Sequence, residues 1–415
     1  MFRVLAAATL SLAAAAMAAM SLAVALLDFS VLRIRQKAPN ATVTFDEADN
    51  AIRIQGSLGA RLNAQFHDAL NRHPGTRMIV LDSPGGLVED ALDLADTISK
   101  RRLPARIEGI CASACVAVWA ASPYREMSAT SVVGIHELRF DINLPSEFIA
   151  KADAASGGRY DAYLRSAGFD EATIRKGNQT PPSEVYWLNP LQVGAVGTKV
   201  VVVGADGAPV TPVMARWLWV EHALGERNSA TRLMAAIRED APSLISRHAA
   251  AIYDALIANS PSALKQAMQS LSSDALVFAL QRAPDKATVR WARGAYDLMH
   301  IDGPDGSVCS LEAGGTTSSP GALALANASN DHLSQLVSTI EPSEPVHRLA
   351  KPLTSTLDAV LRKTQADAHR AGFSQKSSHW TDVQWCRFKL AYFGYALQLP
   401  TRQAAEAVRY LELTR

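Results

Sequence analysis

The chain has 415 residues, of which 48% are hydrophobic and 20% charged, and its net charge is +1. That length accommodates two domains with separate cores, and the composition excludes a disordered chain. A balanced charge offers no basic excess for a phosphate backbone, so no nucleic-acid partner is expected. Four cysteines are too few for a disulfide scaffold, and no metal-ligand spacing stands out.

From the N-terminus, Arg3 is followed by an uncharged run from Val4 to Leu27. Residues 1–27 therefore read as a signal peptide or a transmembrane anchor. The membrane is then a partner through this segment, and the body lies outside the cytoplasm, membrane-anchored or periplasmic. Residues 28–44 read as a linker. Short strands are predicted at 42–45 and 51–55, and a helix at 58–71 with Leu62, Phe66 and Leu70 inward. A strand at 77–81 runs into Asp82-Ser83-Pro84-Gly85-Gly86, and a helix at 87–100 buries Leu87, Ala91, Leu92, Leu94 and Ile98. A strand at 105–109, a helix at 113–121 and a strand at 131–136 follow. Strands alternating with helices in this way predict an α/β domain of βα crossover units over residues 45–207. Its end is predicted as helix at 146–177, a strand at 199–203 and a turn at Gly204 to Gly207. Residues 214–415 have helical periodicity throughout, with a Gly-, Ser- and Asn-rich loop at 303–330 and helices at 346–371 and 401–413. They form an α-helical C-terminal domain whose role the sequence does not specify.

The chemistry concentrates in Gly109-Ile110-Cys111-Ala112-Ser113-Ala114-Cys115, which opens an apolar run. Small residues around Ser113 suit a tight strand-to-helix turn, where unpaired N–H groups favour developing negative charge. A Gly-Gly pair ending a strand brings backbone N–H close to a substrate carbonyl. A histidine in an apolar strand, His136, supplies a base if the fold brings it within reach. Each residue also has a plainer reading: Ser113 as a helix N-cap, His136 as a structural histidine, the glycines as a turn.

The order Ser83-Pro84-Gly85-Gly86, then Gly109 to Ala114, then Arg125, then Gly134-Ile135-His136 resembles the Clp protease proteolytic subunit and its periplasmic relatives, of the ClpP/crotonase superfamily. The resemblance spans roughly residues 50–204. It implies a ClpP/crotonase-like fold in which Ser113 is the nucleophile, His136 the base, and Gly86 with Ala114 the oxyanion donors. It implies a serine hydrolase, a peptidase first, that acts on peptides or unfolded segments with no cofactor. The helical stretch at 146–177 corresponds to the subunit-contacting handle of that protease, which leaves a homo-oligomer open. The acid of the family has no clear counterpart. Glu184 lies nearest its place, and an exposed loop carboxylate is its plainer reading. Without an acid, His136 would be oriented by a backbone carbonyl or water.

Cysteines flank the serine where the protease has small residues. Cys111 and Cys115 read as a bridge stiffening the turn or as small buried side chains, with a Cys115 thiolate nucleophile as a third use. Cys309 and Cys386 would form a second bridge. The alternative to a hydrolase is an inactive scaffold of the same fold that binds envelope peptides or protein partners.

Overall fold

The computed structural model describes residues 40–138, 146–225, 228–302, 320–341, 346–347, 354–374 and 376–414. The chain divides after Ala215 into two compact units, and the division falls inside the helix Pro212–Leu224. The uncharged N-terminal run and Cys309 lie outside the described residues. Among the described residues no helix is long and apolar enough to cross a membrane.

The first unit begins with β1 (Thr42–Asp46), β2 (Ala51–Gln55), α1 (Leu62–Arg72), β3 (Met78–Ser83), α2 (Val88–Arg101), β4 (Ala105–Ala112) and α3 (Ala114–Ala120). It continues with β5 (Arg125–Ser128), β6 (Val132–Ile135), α4 (Ser146–Ala167), α5 (Glu171–Gln179), β7 (Tyr186–Leu188), α6 (Pro190–Ala195) and β8 (Val201–Val203). One sheet runs β1-β2-β3-β4-β5-β8, with β6 on β4 and β7 on β6. The β1–β2 and β6–β7 pairs are antiparallel and the rest are parallel. Parallel neighbours need crossover connections, and α1, α2 and α3 supply those of β2–β3, β3–β4 and β4–β5. This is the α/β architecture with crossover units that the sequence predicts.

Helical spacing explains the core. Leu62 and Phe66 of α1, and Ala91, Leu92, Leu94 and Ile98 of α2, have no exposed surface. The helix α3 carries no charged residue and is buried all round, so it runs through the core rather than over it.

Several boundaries differ from the sequence reading, the first helix starting at Leu62 and β4 running on to Ala112 among them, and three differences have a clear cause. The expected helix at 146–177 is two, α4 and α5, because Gly168 takes φ +101° and Asp170 then caps α5 by accepting the Thr173 N–H at 2.7 Å. The expected loop at 303–330 contains the start of a helix, Pro320–Val337. Proline opens it, and the alternation of Ala and Leu that follows outweighs the Gly and Ser nearby. The helix expected from 346 begins at Ser355, where the Thr354 side chain caps it.

In the second unit the described elements are all helical. Arg409 on the helix Thr401–Thr414 is 5% exposed and fastens it to the junction of the helices Pro261–Leu280 and Asp285–Asp302. Its guanidinium donates to Leu280 O at 2.9 Å, Ala283 O at 2.7 Å and Thr288 Oγ1 at 3.2 Å, and pairs with Asp285 at 2.5 Å. Removing it strands buried carbonyls and an acid, at a cost of about 3 kcal/mol or more. Arg409→Leu should lower the urea midpoint of the helical unit, and Arg409→Lys should recover less than half of the loss, because one ammonium cannot reach a fork of four acceptors. Unfolding followed by circular dichroism measures both. A lysine variant as stable as wild type would show that charge alone, and not the fork, fastens the helix.

Candidate active site

The site is built at the end of β4, where the sheet forks. The first half of β4 pairs with β5 (Ala105↔Arg125 to Ile107↔Met127), and the second half pairs with β6 (Ile110↔Val132 to Ala112↔Gly134). A bulge sits between the halves. On the β3 side the register passes from Leu81↔Ile107 to Ser83↔Cys111, so Glu108, Gly109 and Ile110 stand opposite Asp82 alone. Asp82 fills the bulge, and its Oδ1 accepts the Ile110 N–H at 3.0 Å. Gly109 leaves room for it, since a Cβ there would lie 2.3 Å from that carboxylate oxygen. The sequence reading did not single out Asp82; its place just before Ser83-Pro84-Gly85-Gly86 was the available signal.

Beyond the bulge, Ser113 turns the chain from β4 into α3. Its φ is +54° and its ψ −130°, a conformation that costs a non-glycine residue about 1–3 kcal/mol. Several contacts hold it. The Ser113 N–H donates to Gly134 O at 2.8 Å, and the buried Tyr160 hydroxyl donates to Ser113 O at 3.2 Å. Burial pushes the Tyr160 hydroxyl up, well above the ordinary phenol range, so it stays a donor. Cys111 and Cys115 are joined in a disulfide that straddles Ser113, with 5.3 Å between Cα atoms, and both are fully buried. Neither is available as a thiolate nucleophile in this state. Although Ser113 stands at the N-cap position, its hydroxyl caps nothing and has no hydrogen-bond partner among the described residues. The plain capping role therefore does not apply.

The glycine loop lies directly on this turn. A Cβ on Gly85, whose φ is +96°, would fall 2.6 Å from Ala112 O and 2.7 Å from Ser113 Cβ. Leu58 anchors the loop from the other side, donating to Gly85 O at 2.8 Å and accepting the Leu87 N–H at 2.7 Å. In such a parallel bridge the intervening residue directs its own N–H away from the bridging strand. The N–H groups of Gly86 and Ala114 accordingly have no acceptor among the described residues. The structure thus sets two unpaired backbone donors on segments that meet at Ser113.

His136 follows β6, whose neighbour along the sheet edge is the end of β4, so nucleophile and base candidates sit at adjacent parallel strand ends. Its Nδ1 lies 2.7 Å from Glu137 O. A carbonyl only accepts, so Nδ1 carries the proton and the neutral ring keeps its lone pair on Nε2. Ser113 and His136 make no hydrogen bond with each other. Glu184 is exposed, and its carboxylate makes no hydrogen bond to His136; the carbonyl of Glu137 takes the position behind the ring. Arg125, beside the fork, is a structural cation. It donates to the carbonyls of Ala120, Ser122, Ala167 and Lys199, which closes the end of α3, and burial holds its guanidinium below the usual arginine range.

Among the described residues no group of acidic, histidine and cysteine side chains could hold a metal ion. No protein-family model matches the chain, and no curated protein matches it. Among solved structures it is similar to ClpP1 from Listeria monocytogenes and to a point mutant of that protein. Both are 19% identical, with 39% of this chain and 95% of theirs covered, at TM-scores of 0.32 and 0.33. A likeness at that level carries no weight for activity, and the fold rests on the strand order and register above.

The close packing of Gly85 on Ser113 gives a direct test. If Ser113 reacts with a fluorophosphonate, Gly85→Ala should abolish that reaction while circular dichroism stays unchanged, because the added methyl must push the loop off the turn. A Gly85→Ala protein labelled at the wild-type rate would show that the loop does not govern the serine.

Proposed function

We propose that the first unit is a serine hydrolase, a peptidase first, acting on peptides or unfolded segments. The observation that carries this reading is the serine turn itself. A non-glycine residue is held at positive φ with a hydroxyl that has no hydrogen-bond partner among the described residues, and the segments that meet at it carry two backbone N–H groups, of Gly86 and Ala114, without an acceptor there. A fold has no packing reason to keep a serine in that conformation, and acyl transfer supplies one. Ser113 Oγ attacks the carbonyl, and His136 Nε2 takes the proton and returns it to the leaving amine. The Gly86 and Ala114 N–H groups hold the oxyanion. Glu137 O fixes the tautomer in place of an acid. The absence of a Ser113–His136 hydrogen bond favours one second reading, a scaffold that binds peptides without turnover, although apo sites often tighten only on substrate.

We also propose that this unit works outside the cytoplasm, anchored or periplasmic and without an unfoldase to feed it. The uncharged N-terminal run and the bridge across Ser113 support that placement. Alkaline phosphatase fused after residue 210 should be active. Activity only from an equivalent β-galactosidase fusion would put the unit inside.

Ser113→Ala should remove peptide turnover and leave the fold intact, since the hydroxyl makes no hydrogen bond. His136→Ala should cause a comparably large loss, because nucleophile and base act as a unit. Glu184→Gln should matter little. Turnover of unstructured peptides, with fluorophosphonate labelling, checks all three. Activity surviving Ser113→Ala would sink the serine mechanism, and a wild type inert to peptides, esters and the probe would favour the scaffold.

A further inference from the structure

The strands β3, β4, β5 and β8 run parallel, so their starts share one edge of the sheet, opposite the end that carries Ser113. Hydrogen bonds fix the order of residues along that edge. The Ile79 N–H donates to Pro104 O at 2.9 Å, the Ala105 N–H to Tyr124 O at 2.9 Å, and Arg125 Nε to Lys199 O at 3.3 Å. Arg77 before β3, Lys100, Arg101 and Arg102 at the end of α2, Tyr124 before β5 and Lys199 before β8 therefore form one row, about 15 Å across at the usual strand spacing. All six are exposed, Tyr124 at 59%. Among the described residues none of the five cations makes an ion pair or a side-chain hydrogen bond.

Acids toward the same end are committed elsewhere. Asp68 pairs with Arg72 at 2.8 Å, Asp49 with Arg53 at 2.9 Å and Glu126 with Arg106 at 2.7 Å. Glu47, on the β1–β2 turn, stands beyond β3 at one end of the row. In a chain whose net charge is +1, this edge is a segregated basic surface. The dipole of α2 accounts for Lys100 and Arg101 in its last turn, and for no other member. Arg102 is kept against a conformational cost. Its φ is 55° and its ψ 37°, the left-handed cap that glycine or asparagine usually fills.

We propose that this edge docks the first unit on anionic lipid headgroups, with the strand ends that carry Ser113 turned away from the bilayer. This rests on the membrane-anchored reading of residues 1–27. An anchored unit meets the bilayer at high effective concentration, so a shallow charged surface suffices to orient it. Each basic residue near an anionic surface adds about fivefold in affinity, and an exposed tyrosine suits the interface. The tether permits the orientation. Thr42 pairs with Gln55, so β1 enters at the Ser113 end, about 27 Å from the basic edge for the eight residues of β4. Residues 28–39 reach up to about 40 Å and carry Arg33, Arg35 and Lys37, which favour the same headgroups.

The test places the full chain in nanodiscs of phosphatidylcholine, alone or mixed with phosphatidylglycerol. Acetylation of Lys100 and Lys199 by a water-soluble reagent is read by mass spectrometry, against the exposed Lys286 and Lys376 of the second unit. Phosphatidylglycerol should slow Lys100 and Lys199 about fivefold or more relative to the reference lysines, and high salt should remove the difference. Arg101→Glu with Arg102→Glu should abolish the protection. Arg102→Gly should weaken it while the melting temperature stays equal or rises, an outcome that a purely structural arginine would not give. Equal acetylation in both lipids, or protection that survives the glutamate pair, overturns the lipid surface. Protection that appears in neutral discs and grows with protein concentration also overturns it, and gives the edge to an acidic face of a second copy. A chain that leaves the discs in high salt overturns the anchored reading beneath it instead.

Discussion

One backbone conformation governs the first unit: Ser113 at φ +54° between β4 and α3. It is unfavourable on its own, so the surroundings must over-determine it. A sheet partner takes its N–H, a buried tyrosine binds its carbonyl, a disulfide straddles it and a glycine without a side chain packs on it. Three of these contacts come from segments distant in sequence, β6, α4 and the glycine loop, and the disulfide joins the residues two before and two after the serine. Each pays its ordering entropy as part of the fold, so the turn is rigid before substrate arrives.

The fork of β4 explains why those elements converge. A continuous parallel sheet would give β4 one neighbour on that side along its whole length. The bulge opposite Asp82 lets β4 leave β5 and take up β6, which brings His136 to the strand end beside Ser113. It also brings Cys111 level with Ser83, so the glycine loop arrives at the height of the turn. A single carboxylate filling the bulge thus sets two alignments at once. The helix α4 closes the arrangement: Tyr160 reaches Ser113, while Arg159 on the same helix pairs with Glu89 of α2 at 3.0 Å.

Much of this was legible in the sequence, for reasons that can be stated. Gly85-Gly86, Ser113 and His136 sit in short runs whose small or apolar neighbours leave few conformations, and local rules reach such runs. Alternating strands and helices were legible because their hydrophobic periods differ. The bulge was not, because register is a property of two strands and neither Asp82 nor Gly109 is unusual alone. The row of cations from Arg77 to Lys199 needed the strand order β3-β4-β5-β8, which no local pattern encodes. The helix from Pro320 was hidden by composition: Gly, Ser and Asn counts masked an Ala-Leu run. For the position behind His136 the sequence offered Glu184, or else a backbone carbonyl or water, but it could not say which carbonyl, because that group is present at every residue and carries no sequence signature.

On the hydrolase reading proposed above, that carbonyl sets what the base can do. A carboxylate behind a catalytic histidine does two things: it selects the tautomer that leaves Nε2 free, and it stabilises the imidazolium as the proton arrives. Glu137 O performs the first and supplies only a dipole for the second. Holding the correct tautomer preserves the larger share of the effect, since a base in the wrong tautomer cannot accept the proton at all. On that reading the missing countercharge falls on the step in which charge develops, where the Gly86 and Ala114 donors would act on the oxyanion rather than on the ring. The burden of catalysis accordingly shifts from the base to the turn. For such a site rigidity at Ser113 counts for more than the strength of the dyad, which gives a physical reason to place a disulfide across the serine.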